Sequence, residues 1–295
     1  MVGSILLQEI SSIFERERGR LIALAYAFLG SHSDAEDVVQ EAWLRLANAG
    51  EGMRTPEAWL TTAVSRLALD RLRSAQRRRE SYSGVWLPEP VSELPDPESR
   101  QEIRSTLSIG FLHLLERLSP EERAAFVLRE AFDRSFAEIA DTLGKTEAAC
   151  RQLLSRARKR LDNKEPRRTE RVSRQIAEQC LEALVNFDEQ KLLTLLAADA
   201  VFYGDSGGRV PSALNPIYGA DKVVRFFAGL VRKYGSSFQF ELTQANGEPA
   251  ILVKTALQAG VLSFRLENGK IAELYQVSNP AKLAAFLQAS EAERV

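Results

Sequence analysis

The residues of this chain whose types and spacing could do chemistry are charged ones, gathered into three segregated runs. From Arg66 to Glu80 there are six arginines against two acids, and from Cys150 to Arg171 nine basic residues against three acids, whereas Asp34 to Glu41 carries four acids and no base. Clustered guanidinium groups capture phosphates and base edges, and neutralising phosphates releases counterions, so such runs fit a nucleic acid. A compact acidic face fits a basic protein surface. One isolated run would read as a solvated helix face, but three in this order call for partners, and the net charge of −1 is an average that hides them. The two cysteines, Cys150 and Cys180, lack the spacing of metal ligands and fall on helical patterns, so they read as buried free thiols.

The elements that must carry these runs are legible from punctuation and periodicity. At 295 residues, 45% hydrophobic and 27% charged, the chain has the length and composition of two or three small globular domains. Its longest uninterrupted apolar stretch, Leu21 to Leu29, is too short for a membrane span, and without a secretion signal a cytoplasmic location is expected. The first 80 residues read as helices. Ser33 to Glu36 is patterned as a capping box, and behind it Ala35, Val38, Val39, Ala42 and Leu46 form one apolar stripe, which leaves Asp34, Asp37 and Glu41 on an outer face. Thr55-Pro56 starts another helix that runs towards Arg79.

Between Ser81 and Pro97 lie four of the chain's eleven prolines, Pro88, Pro90, Pro95 and Pro97, which predicts a semi-rigid linker. Further boxes follow at Ser119 to Glu122 and Ser135 to Glu138. Gly144 then allows a tight turn, and Thr146 caps a helix with Cys150, Leu153, Leu154, Ala157 and Leu161 facing inward, which is a helix-turn-helix pattern. Its second helix would present Thr146, Glu147, Arg151, Gln152 and Ser155 to base edges, and Arg156, Arg158, Lys159 and Arg160 to phosphates. From Arg171 onward a helix (172–188) and a second helical segment give way to strand-like runs at 237–242, 250–255, 261–266 and 271–277. Asn268-Gly269 makes a hairpin turn into the last run, so an α+β domain is expected.

These segments together resemble the extracytoplasmic-function sigma factors of bacterial RNA polymerase. Asp34-Ala-Glu-Asp-Val-Val-Gln-Glu-Ala-Trp-Leu-Arg-Leu46 resembles region 2.2, which implies that Asp34, Asp37 and Glu41 dock on core RNA polymerase. Thr55-Pro-Glu-Ala-Trp-Leu60 through Ala68-Leu-Asp-Arg-Leu-Arg73 resembles the part that opens and reads the minus-ten element, which implies promoter contacts for Trp59, Arg66, Arg71, Arg73 and Arg77. Trp59 suits either a core position or stacking beside unstacked bases; Trp43 reads as core. Leu118-Ser-Pro-Glu-Glu-Arg123 and Ser135-Phe-Ala-Glu-Ile-Ala140 through Leu161 resemble region 4, reader of the minus-thirty-five element.

A narrower resemblance covers the linker and tail. Trp86-Leu-Pro-Glu-Pro90 is similar to the linker motif of sigma factors with a C-terminal SnoaL-like domain, a cone related to nuclear transport factor two and ketosteroid isomerase. Asp205-Ser-Gly-Gly-Arg209 resembles that family's Asp-Gly-Gly-Gly-Lys loop, and Asn279-Pro-Ala-Lys-Leu283 its Asn-Pro-Asp-Lys-Leu motif. The resemblance implies regulatory contacts in cis through Trp86, Pro88, Glu89, Pro90, Asp205, Gly207, Gly208, Asn279, Pro280 and Lys282. The architecture implied is multidomain: an all-α region 2 bundle (1–80), a linker (81–105), an all-α region 4 helix-turn-helix (106–165) and an α+β SnoaL-like domain (170–295). In such a cone Tyr203, Asp205, Arg209, Tyr218 and Tyr275 would line a pocket, which leaves room for a small ligand. With His32 and His113 both outside this domain, Asp205 is its one candidate base and lacks a second polar partner, so no catalysis, cofactor or metal is expected. Besides a sigma factor, the readings weighed are a ligand-responsive DNA-binding regulator and an enzyme fused to a DNA-binding module. The acidic helix favours the sigma factor, because neither alternative needs a polymerase-docking face.

Overall fold

The computed structural model describes residues 2–48, 55–94, 107–161, 170–256 and 258–292; the expected linker end at 95–105 and the basic positions 162–169 lie outside the described residues. The chain forms two compact units. The first comprises Met1–Glu80, Leu94–Leu107 and Leu114–Pro166, and the second Ser81–Glu93, Ser108–His113 and Arg167–Val295. Among the described residues no helix is long and apolar enough to cross a membrane.

The first unit begins with three helices, α1 (Val2–Leu29), α2 (His32–Asn48) and α3 (Pro56–Arg79). The stripe Ala35, Val38, Val39, Ala42 and Leu46 is buried, as are Leu60, Val64, Ala68 and Leu72 of α3, so the two helices present apolar faces to a common core with α1. Helix α2 starts earlier than the Ser33 box predicts. Gly30 takes the left-handed conformation (φ 65°) that ends α1, which leaves Ser31 at the cap position, where its hydroxyl accepts from Asp34 N at 3.3 Å. Trp43 stacks on Phe14 at 4.7 Å and is half-buried.

Helix α4 (Ile109–Leu115) contains a division between the units, since Ile109 to His113 belong to the second. The first unit continues with α5 (Pro120–Phe126), a π-helical turn (Val127–Ala131), α6 (Phe136–Leu143) and α7 (Glu147–Arg160). Ser119 and Ser135 both form complete capping boxes, with Glu122 and Glu138. Gly144 is left-handed (φ 61°) and Thr146 caps α7 by accepting from Ala149 N, so the α6–α7 pair is the expected helix-turn-helix. Cys150 is buried on the inner face of α7, and Cys180, in the second unit, is a buried free thiol pushed up to about 12 by burial.

A buried ion triad ties the three-helix bundle to these later helices. The Glu116 carboxylate accepts from Arg79 and from Arg123, whose side chain is only 1% exposed. Arg79 also donates to Leu29 O at 2.7 Å and Arg123 to Ala27 O at 3.2 Å, so the guanidinium groups finish the carbonyl end of α1 as well.

In the second unit, α8 (Arg174–Val185) and α9 (Glu189–Leu195) precede β1 (Leu196–Asp205), β2 (Ile217–Tyr218), α10 (Ala220–Tyr234), β3 (Gln239–Ala245), β4 (Glu248–Lys254), β5 (Ala259–Glu267), β6 (Lys270–Val277) and α11 (Pro280–Ala292). One six-stranded sheet runs β2-β1-β6-β5-β4-β3, antiparallel except for β1 beside β6. Asn268-Gly269 forms the predicted hairpin with both residues at positive φ, and Asn246-Gly247 repeats the device between β3 and β4. Strand β1 and helix α10 were not separated in the sequence reading. The Ala198-Asp199-Ala200 stretch is a weak local strand former and falls where the β1–β6 register shifts; pairing with β6, some 70 residues away, holds Val201 to Asp205 extended. One face of the sheet packs on α8 to α10 through Phe202, Val224, Ile251 and Leu274. The other cluster holds Leu87, Ile109, Leu252, Tyr275 and Phe286.

Burial alone would raise the Glu116 carboxyl, but Arg123 and Arg79 on either side hold it below the usual carboxylate range. A depressed folded-state value stabilises the fold above the unfolded value and loses that contribution as pH falls through the folded one. Glu116→Gln leaves two buried cations without a counter-charge and is expected to destabilise the first unit by about 3–5 kcal/mol at neutral pH. Denaturant melts of both proteins should converge as the pH falls below about 4.5; a constant difference down to strong acid would contradict the assignment.

Candidate functional site

The outer face of α7 is assembled from sequence spacing alone. With Cys150, Leu153, Leu154 and Ala157 turned inward, Thr146, Glu147, Arg151, Gln152, Ser155, Arg156, Arg158 and Lys159 are all exposed. Arg151 is held rather than loose: it pairs with Glu147 at 2.7 Å, and its guanidinium lies 4.7 Å from the Phe136 ring centroid. Arg158 pairs with Glu130, and the buried Glu122 carboxylate stands 3.1 Å from Arg160 and 3.7 Å from Arg156. A pre-oriented arginine at the start of the helix and a cationic row further along can grip bases and phosphates respectively.

The charges of α2 and α3 meet acids and bases within the same unit. Arg71 donates to Asp34 at 2.6 and 2.9 Å and to Asp37 at 2.8 Å, so a residue expected on DNA bridges two acids expected on the polymerase. Glu41 pairs with Arg45 at 2.5 Å. Arg66 donates to the Asp141 carbonyl at 2.7 Å and to its carboxylate at 3.3 Å, and Arg73 pairs with Glu121 at 2.7 Å. Trp59 is half-buried and Arg77 is exposed.

In the second unit, the three motifs around Trp86, Asp205 and Asn279 converge on one buried carboxylate. Asp205 is 0% exposed. Its Oδ1 accepts from the Tyr82 hydroxyl at 2.5 Å and from Gly207 N at 3.1 Å; its Oδ2 accepts from Leu87 N at 2.8 Å and from Lys282 Nζ at 2.6 Å. Lys282 Nζ also donates to Leu87 O and lies 4.0 Å from the Trp86 ring centroid. Asn279 donates through Nδ2 to the Tyr82 hydroxyl at 2.9 Å, and its Oδ1 accepts from Ala281 N at the start of α11. The Asp205 carbonyl accepts from Ser278 N and Asn279 N. Burial and the hydrogen bond to Asp205 raise the Tyr82 hydroxyl, so it stays a proton donor.

The linker therefore behaves as part of the second unit. Leu87, Pro88, Glu89, Pro90 and Val91 are buried, and Val91 and Asn246 exchange two hydrogen bonds, Asn246 N to Val91 O at 2.8 Å and Val91 N to Asn246 Oδ1 at 3.2 Å. Gly207 is left-handed (φ 59°), and a Cβ there would stand 2.5 Å from Asn279 Nδ2; a Cβ on Gly208 would stand 3.0 Å from the Ser83 hydroxyl. Both glycines let the loop approach the linker closely. Ser206, where the resembling loop has Gly, is buried and accepts from Gly208 N. Pro280 is exposed at the first turn of α11. Sequence reasoning does not single out Tyr82, which belongs to no motif, or Leu87, which lies inside the Trp86 to Pro90 motif but acts through its backbone amide; both matter through contacts with Asp205.

The pocket expected around Tyr203, Asp205, Arg209, Tyr218 and Tyr275 is not formed by that set. Tyr218 is 61% exposed, Tyr275 is buried with its hydroxyl on Glu273, Tyr203 stacks on Tyr275 at 5.5 Å, and Asp205 is filled by its own partners. A cavity of about 230 Å³ opens instead beside α10.

Comparison with known proteins agrees with this layout. Residues 13–78 match the Sigma-70 region 2 family and residues 109–161 match Sigma-70, region 4. The chain is 40% identical over 292 residues to the ECF RNA polymerase sigma factor SigJ of Mycobacterium tuberculosis, covering 92% of each chain, and 33% identical to the probable ECF RNA polymerase sigma factor SigI of the same organism, covering 93% of this chain and 94% of that one. The crystal structure of the M. tuberculosis SigJ superposes with a TM-score of 0.76 at 36% identity, covering 93% of this chain and 98% of that one. With region 2 and region 4 both matched, and with similarity that runs on through the α+β unit, the chain belongs to the ECF RNA polymerase sigma factors.

Proposed function

We propose that this sigma factor takes core RNA polymerase on the α2 face of Asp34, Asp37 and Glu41, meets the minus-ten element with Trp59, Arg66, Arg71, Arg73 and Arg77, meets the minus-thirty-five element with the outer face of α7, and is restrained in cis by its C-terminal domain. The observation that carries the restraint is the Asp205 clasp on residues 82–91. These residues lie between the region 2 and region 4 matches, yet they and Ser108–His113 belong to the second unit. The two promoter elements are about 25 base pairs apart, roughly 85 Å along the duplex. A free run from Glu80 to Ser108 could extend to roughly 90 Å, whereas a run held at both ends by one compact body cannot extend. Opening the clasp releases the linker for that reach, and the Glu116 tie between the two regions has to open with it. The pairing of Arg66 with Asp141 and of Arg73 with Glu121 supports the same reading, because those cations must exchange acids for phosphates. No catalytic step is assigned, since Asp205 already accepts from four donors.

Run-off transcription with core polymerase tests the restraint. Lys282→Met removes the counter-charge of a buried carboxylate and Gly207→Val crowds Asn279, so both full-length variants are expected to give several-fold more transcript than the parent at equal folded concentration. Output equal to the parent from both would reject regulation through the clasp. On α7, Arg151→Ala should relax base preference at one position at a cost of roughly 1–3 kcal/mol, while Arg158→Ala should weaken all sequences alike and lower the salt slope by about one. Indistinguishable profiles across a promoter library would remove the division of labour. Reversing Asp34, Asp37 and Glu41 to Lys should abolish binding to core polymerase in a pull-down; a triple variant with native circular dichroism and parental affinity would move the docking face elsewhere.

A further inference from the structure

Helix α10 is sharply two-sided. Val223 and Val224 are buried, and Phe226 and Phe227 pack against the same core, which turns Asp221, Lys222, Arg225, Arg232 and Lys233 outward. At about 3.6 residues per turn, these five exposed residues and Gly229 fall within an arc of about 120°. Asp221 sits in the first turn, where the helix dipole favours a carboxylate; the other four are cations.

A solvated helix face ordinarily answers its cations with acids, as α8 does with Arg174 and Glu178 at 2.8 Å. The ion pairs of the second unit are made by Arg174, Lys191, Lys254, Arg265 and Lys282, and among the described residues none of the four cations of α10 joins one. Arg225 donates to the Asp221 carbonyl at 3.2 Å, and Lys233 lies 5.2 Å from the Tyr234 ring centroid. The middle of the face is bare. Gly229 stands between Lys222 and Arg225 on one side and Arg232 and Lys233 on the other, in a helix interior, where glycine is destabilising relative to alanine. Neither ordinary reason for a glycine applies: its φ is not positive, and a Cβ would meet nothing within 4 Å. Packing inside the unit does not demand the missing side chain, whereas a partner's backbone laid across the helix gains from it.

We propose that this face is a sequence-independent contact for double-stranded DNA, whose backbone crosses α10 at Gly229 with its phosphates neutralised by the two cation pairs. From Lys222 to Lys233 the helix axis advances about 16 Å, a length over which a duplex presents roughly ten phosphates. Carboxylates on flexible side chains reach cations past an intervening side chain, but a continuous phosphodiester chain has to lie close, which favours the nucleic acid over an acidic protein. The contact is separate from α7 and from the clasp, and it uses none of the roles assigned to them.

The test is the salt dependence of binding of the full-length protein to a fluorescein-labelled duplex of random sequence, followed by anisotropy between about 50 and 200 mM KCl. The pair variants Lys222→Gln/Arg225→Gln and Arg232→Gln/Lys233→Gln should each lower the slope of log K against log salt by about two and weaken binding several-fold. Gly229→Leu should raise the melting temperature by about 2–4 °C, leucine being the better helix former, while weakening the same binding several-fold. A merely structural glycine would not separate the two readouts. Arg158→Ala probes α7 by its own change of slope, so either surface can fail alone. Parental slopes in both pair variants overturn the proposal, as does a folded Gly229→Leu that binds as tightly as the parent. If the pair variants keep parental DNA binding but lose core polymerase in a pull-down, the face belongs to an acidic protein surface and the proposal is equally overturned.

Discussion

A carboxylate taken out of water must gather donors for both oxygens, and Asp205 draws them from four directions in the sequence: Tyr82, the Leu87 amide, Gly207 and Lys282. Much of the second unit follows from that requirement. The parallel pairing of β1 with β6 sets Asp205 beside Val277, so the chain leaving β6 reaches the Asp205 carbonyl with two successive amides. Gly207 must be left-handed and without a Cβ for the loop to turn under Asn279. The linker must be extended for its Leu87 amide to point at the carboxylate, which the prolines at 88 and 90 favour. Because a buried charge that loses one partner is left uncompensated, these contacts form and fail together. The linker is consequently either gripped or free.

The first unit obeys a different electrostatic rule. The pairs of Arg66, Arg71 and Arg73 sit at a surface where each is worth about 0–1 kcal/mol and is weakened by salt. Such pairs can be exchanged for phosphates or for a protein partner at little net cost. The Glu116 triad, by contrast, is buried and also completes two carbonyls of α1. It is the tie between the three-helix bundle and the later helices that solvent and counterions do least to loosen. The same unit thus combines exchangeable cations on its outside with a firm joint within.

How much of this could be read in advance depended on whether the cause was local. Capping boxes at Ser119 and Ser135, the left-handed Gly144, the stripe on α2, the inward face of α7 and the Asn268-Gly269 turn all arise within a few residues, and each stands in the structure as expected. The start of α2 was misplaced by a competition between two serines that only the geometry of Gly30 decides. Strand β1 was missed because its shape is imposed by β6. For the clasp, the resemblance pointed to Asp205, Asn279 and Lys282, but Tyr82 carries no motif and the partner of each residue is set by long-range closure. The cavity was placed wrongly for the same reason: tyrosines that alternate with apolar residues along β1 and β6 look like pocket lining, and two of them are packed into the fold.

The position of the clasp residues along the chain also orders events in time. Region 2, the linker and region 4 all precede residue 162, whereas the cation of the clasp is Lys282, near the other end of the chain. A ribosome adding about 5–20 residues per second needs roughly 6–24 s to pass from one to the other. Throughout that interval the nascent protein owns both promoter-reading regions and a linker whose set of partners is still incomplete. The Lys282 contacts of the clasp therefore form only after both regions have been synthesised.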